Sequence, residues 1–564
     1  MIEDKIKKLI RESLQKLGIA GVEVSLEHPD EISHGDYSTS VALAYSKELK
    51  MKPRELAEEV VRYIVQNKSE EIERVEIAGP GFINFYLSRE FFTKGIADIF
   101  GAGENFGKNS TLKGKKVMVE YTDANPFKLF HIGHLMNNAI GESIARLSEF
   151  QGAHVVRACY QGDTGLHIAM ALYGMMNLPE KPDYVAYLGE AYAYGSKAQE
   201  TNPEIKKEIE AINKKIFEKS DMKLNEIYAK GRQASLDHFE VLYKKLGTKF
   251  DHSYFESEVA PEGLEIVKDF LTQNVFEVSE GAVVFRGDKH GLHTRVFINS
   301  QGLPTYETKE LGLTKKKFRD ENPDVSIVIT ANEQSGYFEV VLEAMRHIDT
   351  RMAERTKHVA HGMLRLPTGK MSSRTGQVIT GESLITAVET MVHKKLEERE
   401  LETFEKNKIA EIVAIGAIKY SIIRQAIGSD IIFDLEKSIS FEGDSGPYLQ
   451  YSYVRAKSIL AKAEKEKIVG EVRPEAIPSE ISLLERLLVR FPEVVERAGK
   501  EYAPHLVATY LVELAGAFNN YYAHNQIVSG EDKTSPYKVA LMRVFAGVMK
   551  NGLFLLGIQT PEKM

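Results

Sequence analysis

The chain is 564 residues long with a formal net charge of −8, 43% hydrophobic and 27% charged residues, and one cysteine. At roughly 100–200 residues per domain this is a modular protein of about three to five packed units, without a disulfide framework and without an apolar run of the roughly 18 residues that a membrane span needs. The acidic balance argues against non-specific coating of nucleic acid while leaving local basic surfaces open; the N-terminus, Ile2-Glu3-Asp4-Lys5-Ile6, mixes both signs without a secretory apolar core, so a cytoplasmic location is expected.

Residues 1–110 read as a small α/β module. A charged amphipathic helix opens it, followed by an expected strand at 21–26, helices at 38–49 and 53–66, and a strand pair at 72–77 and 82–87 around the turn Ala78-Gly79-Pro80-Gly81. His34-Gly35-Asp36-Tyr37 precedes the second helix, where Asp36 or Ser38 would serve as N-cap. Residues 111–380 alternate strand and helix patterns, which predicts a doubly wound, Rossmann-like parallel sheet with candidate strands at 116–121, 154–160, 282–285, 294–298 and 325–329. Within them a Lys-, Glu- and Ala-rich stretch at about 179–247 reads as an inserted helical pair with a solvated face. From 381 to 564 the periodicity is almost entirely helical, punctuated by Pro478, Pro492 and Pro504. The fold class is therefore multidomain α/β, with an N-terminal α/β domain, a parallel-sheet domain and an all-α C-terminal domain.

The densest chemical signal is Asn125-Pro126-Phe127-Lys128-Leu129-Phe130-His131-Ile132-Gly133-His134. Two histidines flank a glycine where a helix begins, with Leu135, Ile140, Ile144 and Leu147 falling on one face of that helix. Free N–H groups of the first turn, the positive end of the helix dipole and imidazole N–H groups together suit phosphate oxygens. Gly133 would remove a Cβ where a base or ribose approaches. A capped, solvated turn or half of a zinc site remains open for such a pair, although no further ligand-type residue stands at metal spacing around it and no metal site is expected. A second loop downstream, Gly369-Lys370-Met371-Ser372-Ser373-Arg374-Thr375-Gly376, carries a lysine able to reach β/γ-phosphates when the loop closes. Together the loops outline a nucleotidyl-transfer site.

These two loops resemble the HIGH and KMSKS signatures of class I aminoacyl-tRNA synthetases, and more narrowly the chain is similar to the arginyl-tRNA synthetase family over nearly its whole length. His34-Gly35-Asp36 and Ala78-Gly79-Pro80-Gly81-Phe82-Ile83-Asn84 resemble that family's N-terminal additional domain; Gly446-Pro447-Tyr448-Leu449-Gln450-Tyr451 and the terminal Met564 resemble its helical anticodon-binding domain. The resemblance implies a Rossmann-like catalytic domain at 111–380 between an N-terminal tRNA-binding domain at 1–110 and an anticodon-binding domain at 381–564. It implies ATP with Mg²⁺ as cofactors, L-arginine and tRNA(Arg) as partners, no membrane, and a monomer. Enzymes similar to this one commonly need bound tRNA before they activate arginine.

Carried over by residue, the resemblance implies that His131, Gly133, His134, Lys370, Met371, Ser372 and Ser373 contact ATP, with His131, His134, Lys128 and Lys370 catalytic. It implies an arginine pocket of Glu120, Asn125, His131, Tyr306, Glu310 and Gln334, which suits a guanidinium: a planar fork of donors calls for carboxylates and aromatic or amide walls. Tyr448, Gln450, Tyr453, Arg455, Asn519 and Tyr522 are the expected tRNA contacts, since aromatic and amide faces suit unstacked bases, although helices also bury tyrosines. The sequence departs from the family pattern at Glu310, where aspartate is usual, at Met136 for arginine, Thr164 for tryptophan, Ser335 for histidine, and Ser373-Arg374 for lysine-serine, with Lys128 where a substituting lysine precedes HIGH.

Overall fold

A computed structural model describes residues 2–365 and 380–564, so Lys370, Met371, Ser372, Ser373 and Arg374 lie outside the described residues. The chain divides into two compact units: one of residues up to Phe106 with Arg455–Pro492 and Glu513–Met549, the other of Gly107–Val454, Glu493–Val512 and Lys550–Met564. Among the described residues no helix is long and apolar enough to cross a membrane.

In the first unit, helix Ile2–Lys16 buries Ile2, Ile6, Ile10 and Leu14 at one-turn spacing, and helix Pro53–Asn67 buries Leu56, Val60 and Ile64. Both contribute to the core beside an antiparallel sheet of β1 (Tyr37–Thr39), β2 (Ile72–Ala78) and β3 (Phe82–Leu87), with β3 central. The expected strand at 21–26 is absent: Val22 and Val24 are buried alternately, but the only pairing nearby is the bridge from Glu27 to Ser38. Alternation reports which side is buried, not whether a neighbouring strand exists. The helix expected at 38–49 is likewise replaced by β1 and a short helix, Val41–Tyr45. Neither Asp36 nor Ser38 caps it. The Asp36 carboxylate accepts from the Leu87 N–H at 2.8 Å and pairs with Arg486, while the Ser38 hydroxyl donates to Asn84 at 2.8 Å.

The second unit is built on a five-stranded parallel sheet whose strands are β4 (Lys116–Glu120), β5 (His154–Gln161), β6 (His252–Phe255), β10 (Val325–Ala331) and β11 (Thr356–His361), in the order β11-β10-β4-β5-β6. The chain runs outward from β4 to β5 and β6 on one side, then returns to β10 and β11 on the other. That reversal makes the carboxyl ends of β4 and β10 a topological switch point. The stretches expected at 282–285 and 294–298 are strands of a separate antiparallel sheet, β7 (Glu277–Ser279), β8 (Ala282–Phe285) and β9 (Arg295–Ile298). Their places in the parallel sheet belong to β6 and β11, edge strands whose polar sequences, His-Ser-Tyr-Phe and Thr-Lys-His-Val-Ala-His, lack the apolar run of a central parallel strand. The insertion is three helices, not a pair: Asn202 ends one and caps the next, accepting from Glu204 N–H at 2.9 Å.

Helix Ile132–Phe150 follows β4 and is buried on nearly every side, so its apolar stripe is only part of its packed surface. A Cβ on Gly141 would stand 2.3 Å from the Tyr121 Cβ, so glycine is what allows the helix to lie this close to the end of β4. Its Glu142 pairs with Arg146 at 2.7 Å and Arg157 at 3.2 Å and accepts from the Tyr121 hydroxyl. Burial pushes that carboxyl up, but the two guanidiniums outweigh it and hold it below its ordinary value. The C-terminal tail closes over the same helix, where the Ser143 hydroxyl donates to the Leu555 carbonyl at 2.7 Å. Lys419, fully enclosed, donates to the Leu246 and Gly557 carbonyls, and burial lowers its ammonium to about 7.

Gly141→Ala should gain helix propensity yet lose more to overpacking against Tyr121, for a net loss of about 1–2 kcal/mol. A lowered chemical-denaturation midpoint checks it; an unchanged or raised midpoint would show that the contact relaxes freely.

Candidate active site

The link from β4 to helix Ile132–Phe150 holds three non-glycine residues in the left-handed region, Thr122 (φ 80°), Asp123 (φ 50°) and Phe127 (φ 64°). Such conformations cost on the order of 1–3 kcal/mol each and persist where neighbours enforce them. Here they are enforced. Asn138 donates to the Thr122 hydroxyl at 3.0 Å, Tyr160 N–H to Asp123 at 2.8 Å, Gly162 N–H to Asn125 at 3.0 Å, and Phe127 N–H to the Ser235 hydroxyl at 3.0 Å.

The link opens into a cavity of about 720 Å³ at the switch point, lined by Glu120, Asp123, Asn125, Lys128, His131, Gly133, His134, Tyr306, Glu310 and Gln334 among others. Every sequence-derived ATP or arginine residue inside the described range lies on its wall. Tyr306 and Gln334 stand at exposed positions, whereas Glu120 and Glu310 are buried.

His131 and His134 form a reciprocal cap. His131 N–H donates to His134 Nδ1 at 3.2 Å, and His134 N–H donates to His131 Nδ1 at 3.4 Å, with the rings stacked 3.5 Å apart. Because both Nδ1 atoms accept, both protons reside on Nε2. The pair therefore offers two N–H donors fixed by the helix start itself. Burial, reinforced by the Lys128 charge, lowers His131 to about 4 and His134 well below its ordinary value, so both are neutral at physiological pH. A Cβ at Gly133 would lie 2.9 Å from the His131 ring, so the glycine also makes room for the histidine stack.

Elsewhere on the lining charge is concentrated at Glu120, Asp123 and Glu310. Glu120, 1% exposed, accepts from the fully buried Lys317 ammonium at 2.7 Å. Burial pulls Lys317 down, but Glu120 and Glu310 more than compensate. Glu310 is pushed up to about 8 by burial and then by the Glu120 charge, and Asp123 is raised for the same two reasons. Three carboxyls thus share one ammonium. A second pair, Lys309 and Glu256 at 2.7 Å, stands beside them, and the Thr164 hydroxyl donates to Glu256 at 3.2 Å.

Comparison with known proteins agrees with this layout. Three family models match in series: "Arginyl tRNA synthetase N terminal domain" over residues 4–87, "tRNA synthetases class I (R), catalytic domain" over 96–435, and "DALR anticodon binding domain" over 449–564. The arginine–tRNA ligase of Treponema denticola is 31% identical, the alignment covering 100% of this chain and 98% of the relative. That of Archaeoglobus fulgidus is also 31% identical, over 99% of this chain and 100% of the relative. The chain belongs to the arginyl-tRNA synthetase family. Its fold is that of the Thermus thermophilus arginyl-tRNA synthetase, with a TM-score of 0.82 at 24% identity and full coverage of both chains.

Several residues on this family member's cavity lining, or paired with it from behind, escape sequence reasoning. Lys317, Lys309 and Asp123 carry no motif, and Glu256 follows β6, a strand without an apolar signature. His167, also on the wall, has its Nε2 2.9 Å from the Gly162 carbonyl, and burial lowers it to about 3. Of the expected tRNA contacts, Gln450 is fully buried and donates to the Gln559 carbonyl at 2.7 Å, and Tyr453 is 5% exposed. Both are packing residues in this conformation. Arg455, Asn519 and Tyr522 do come together: Arg455 donates to Asn519 at 3.2 Å and lies 4.4 Å over the Tyr522 ring. Tyr448 is half-buried near the start of helix Gly446–Lys465.

Lys317→Met leaves Glu120 buried without its cation and should cost about 3–5 kcal/mol. Adding Glu120→Gln should restore much of that loss in denaturation measurements. Equal stability of single and double variants would deny the pair its structural weight.

Proposed function

We propose that the cavity binds arginine with its guanidinium at the Glu120–Glu310 wall and ATP with its phosphates at the histidine cap. The observation that supports this reading is that buried carboxyls, Glu120 and Glu310, and a capped pair of neutral imidazoles line one cavity. The arginine carboxylate attacks the α-phosphorus, the bond to the bridging oxygen breaks, and pyrophosphate departs. The terminal adenosine of tRNA(Arg) then attacks the carbonyl of the adenylate through its 2′-hydroxyl, releasing AMP. Mg²⁺ accompanying ATP would supply neutralisation of phosphate charge.

The chain's own groups act on charge and position. His131 and His134, being neutral, donate from Nε2 without serving as acids, and Lys128 adds a cation where charge accumulates on the departing phosphates. Lys128 is half-buried on the wall and lies 5.2 Å over the Tyr192 ring; burial lowers its ammonium. Lys370, with Met371, Ser372 and Ser373, is assigned to the β/γ-phosphates. Support comes from the flanking residues: Leu364 lines the cavity, and Thr380 bridges to the backbone of His131. Asn125, Tyr306 and Gln334 would orient the substrate amide-side and aromatic contacts. Residues 1–110 and 381–564 are assigned to tRNA, with Arg455, Asn519, Tyr522 and Tyr448 as the candidate contacts, in a cytoplasmic, monomeric enzyme.

ATP–pyrophosphate exchange with arginine and cognate tRNA tests the reading; no exchange with arginine, or robust exchange with another amino acid, would sink it. Lys128→Ala should lower kcat/KM for adenylate formation by roughly 2–4 kcal/mol, about 30- to 1,000-fold, and wild-type turnover would refute the role.

The carboxyl excess also predicts a pH dependence. Burial and the Glu120 charge push Glu310 up to about 8, and it must ionise to pair with a guanidinium, so arginine KM should rise as pH falls below about 8 and level off above it. Glu310→Gln should flatten that profile while raising KM at high pH. A wild-type KM independent of pH between 6.5 and 8.5 would contradict the assignment.

A further inference from the structure

Away from the cavity, His290, Glu343 and His347 converge so that one ligand atom from each lies within 4.8 Å of the others. His290 ends the short turn Gly287–His290 that follows β8, while Glu343 and His347 stand one helical turn apart on helix Ser335–Ile348. Both belong to the second unit. We propose that these three side chains form a divalent transition-metal site, of which zinc is the expected occupant, that staples the antiparallel β7–β9 module to helix Ser335–Ile348.

The distances favour coordination over direct ion pairing. His290 Nδ1 and His347 Nε2 each stand 3.5 Å from the same Glu343 oxygen, Oε1. Charge-assisted hydrogen bonds close to about 2.7–2.9 Å. Two ligands of a tetrahedral ion with bonds of roughly 2.0–2.1 Å lie about 3.3 Å apart, close to the spacing found. Two imidazoles and one carboxylate form a donor set suited to zinc, leaving a fourth position for water.

The ligands are also held in place. The other Glu343 oxygen, Oε2, is engaged by Arg346, which turns Oε1 toward both rings. The His290 ring stacks on buried Phe285 at 5.5 Å and lies 5.0 Å from the His347 ring. Asp288 fixes the turn, pairing with Arg286 at 3.0 Å and accepting from the Thr294 hydroxyl at 2.7 Å. The negative end of the helix dipole, at the turn carrying His347, adds attraction for a cation. Side-chain exposures of 33% for His290 and 43% for His347 leave the site open to an ion from solvent.

The same helix begins at Ser335, next to Gln334, and its first turns place Tyr337 and Phe338 on the cavity wall. An ion at its far end would therefore steady a wall of the active site without touching substrate. None of the three ligands lines that cavity.

The test uses the full-length, chelator-stripped enzyme titrated with zinc and separately with cobalt. Expected are one zinc per chain, a zinc-dependent rise in Tm, and the visible absorption of four-coordinate cobalt. His290→Ala and His347→Gln, on different elements, should each weaken zinc affinity by at least about tenfold and abolish the cobalt spectrum, while control variant His34→Ala keeps both. Circular dichroism verifies folding of each variant. Absence of stoichiometric zinc binding to the wild type, or binding that survives both substitutions, overturns the proposal.

Discussion

Three carboxyls on the cavity lining, Glu120, Asp123 and Glu310, lie within electrostatic reach of the buried Lys317 ammonium. An uncompensated buried charge costs several kcal/mol, so this arrangement must be neutralised either by protons or by a cationic ligand. Protons answer this where burial and the Glu120 charge raise Glu310 and Asp123. On the proposed reading a guanidinium would answer it in a planar form that two carboxylates can grip. The arrangement arises because β4 ends in Glu120 at the switch point and helix Tyr306–Asp320 brings Glu310 and Lys317 to the same place. Fold and specificity meet in this charge balance.

The histidine pair on the same cavity, proposed for phosphates, relies on a different device. There the groups are neutral, and each imidazole's Nδ1 is spent on the partner's backbone, which leaves the ring proton on Nε2. A charged pair would add attraction, but two stacked imidazoliums would repel each other, and Lys128 already supplies a cation. The left-handed residues between the two sides carry the strain of turning a strand end toward a helix start. Their ties to Tyr160, Asn138 and Ser235 distribute that cost over β5, the helix and the insertion.

Legibility in the sequence followed range of interaction. The His131–His134 cap was readable because both partners lie within one helical turn, and β4 was readable because a central parallel strand is apolar on both faces. Edge strands β6 and β11 were not, since one open side permits polar residues and erases the pattern. Glu256 was lost with β6. Lys317 reads as one of several lysines on a charged helix, and only the fold reveals that it points inward. In the helical region, the residue types of Tyr453 and Gln450 do not tell packing from surface, and only the fold shows that both are buried whereas Arg455 lies over the Tyr522 ring.

The departures from the family pattern are explained by the same balance in one instance. Thr164, where the resemblance leads one to expect tryptophan, places a hydroxyl on Glu256, and Glu256 in turn holds Lys309. A tryptophan would offer one N–H donor and a bulky apolar face; threonine offers a short donor inside a buried polar knot. The neighbouring Asp163, fully buried, accepts from Arg232, Tyr228 and Ser257, so the segment is anchored whichever residue follows it. Burial holds Glu256 above its ordinary value, and Lys309 and the Thr164 bond offset that only in part. Threonine here therefore supports the Glu256–Lys309 ion pair beside the cavity in place of aromatic packing, keeping that pair apart from the carboxyl excess at Glu120 and Glu310.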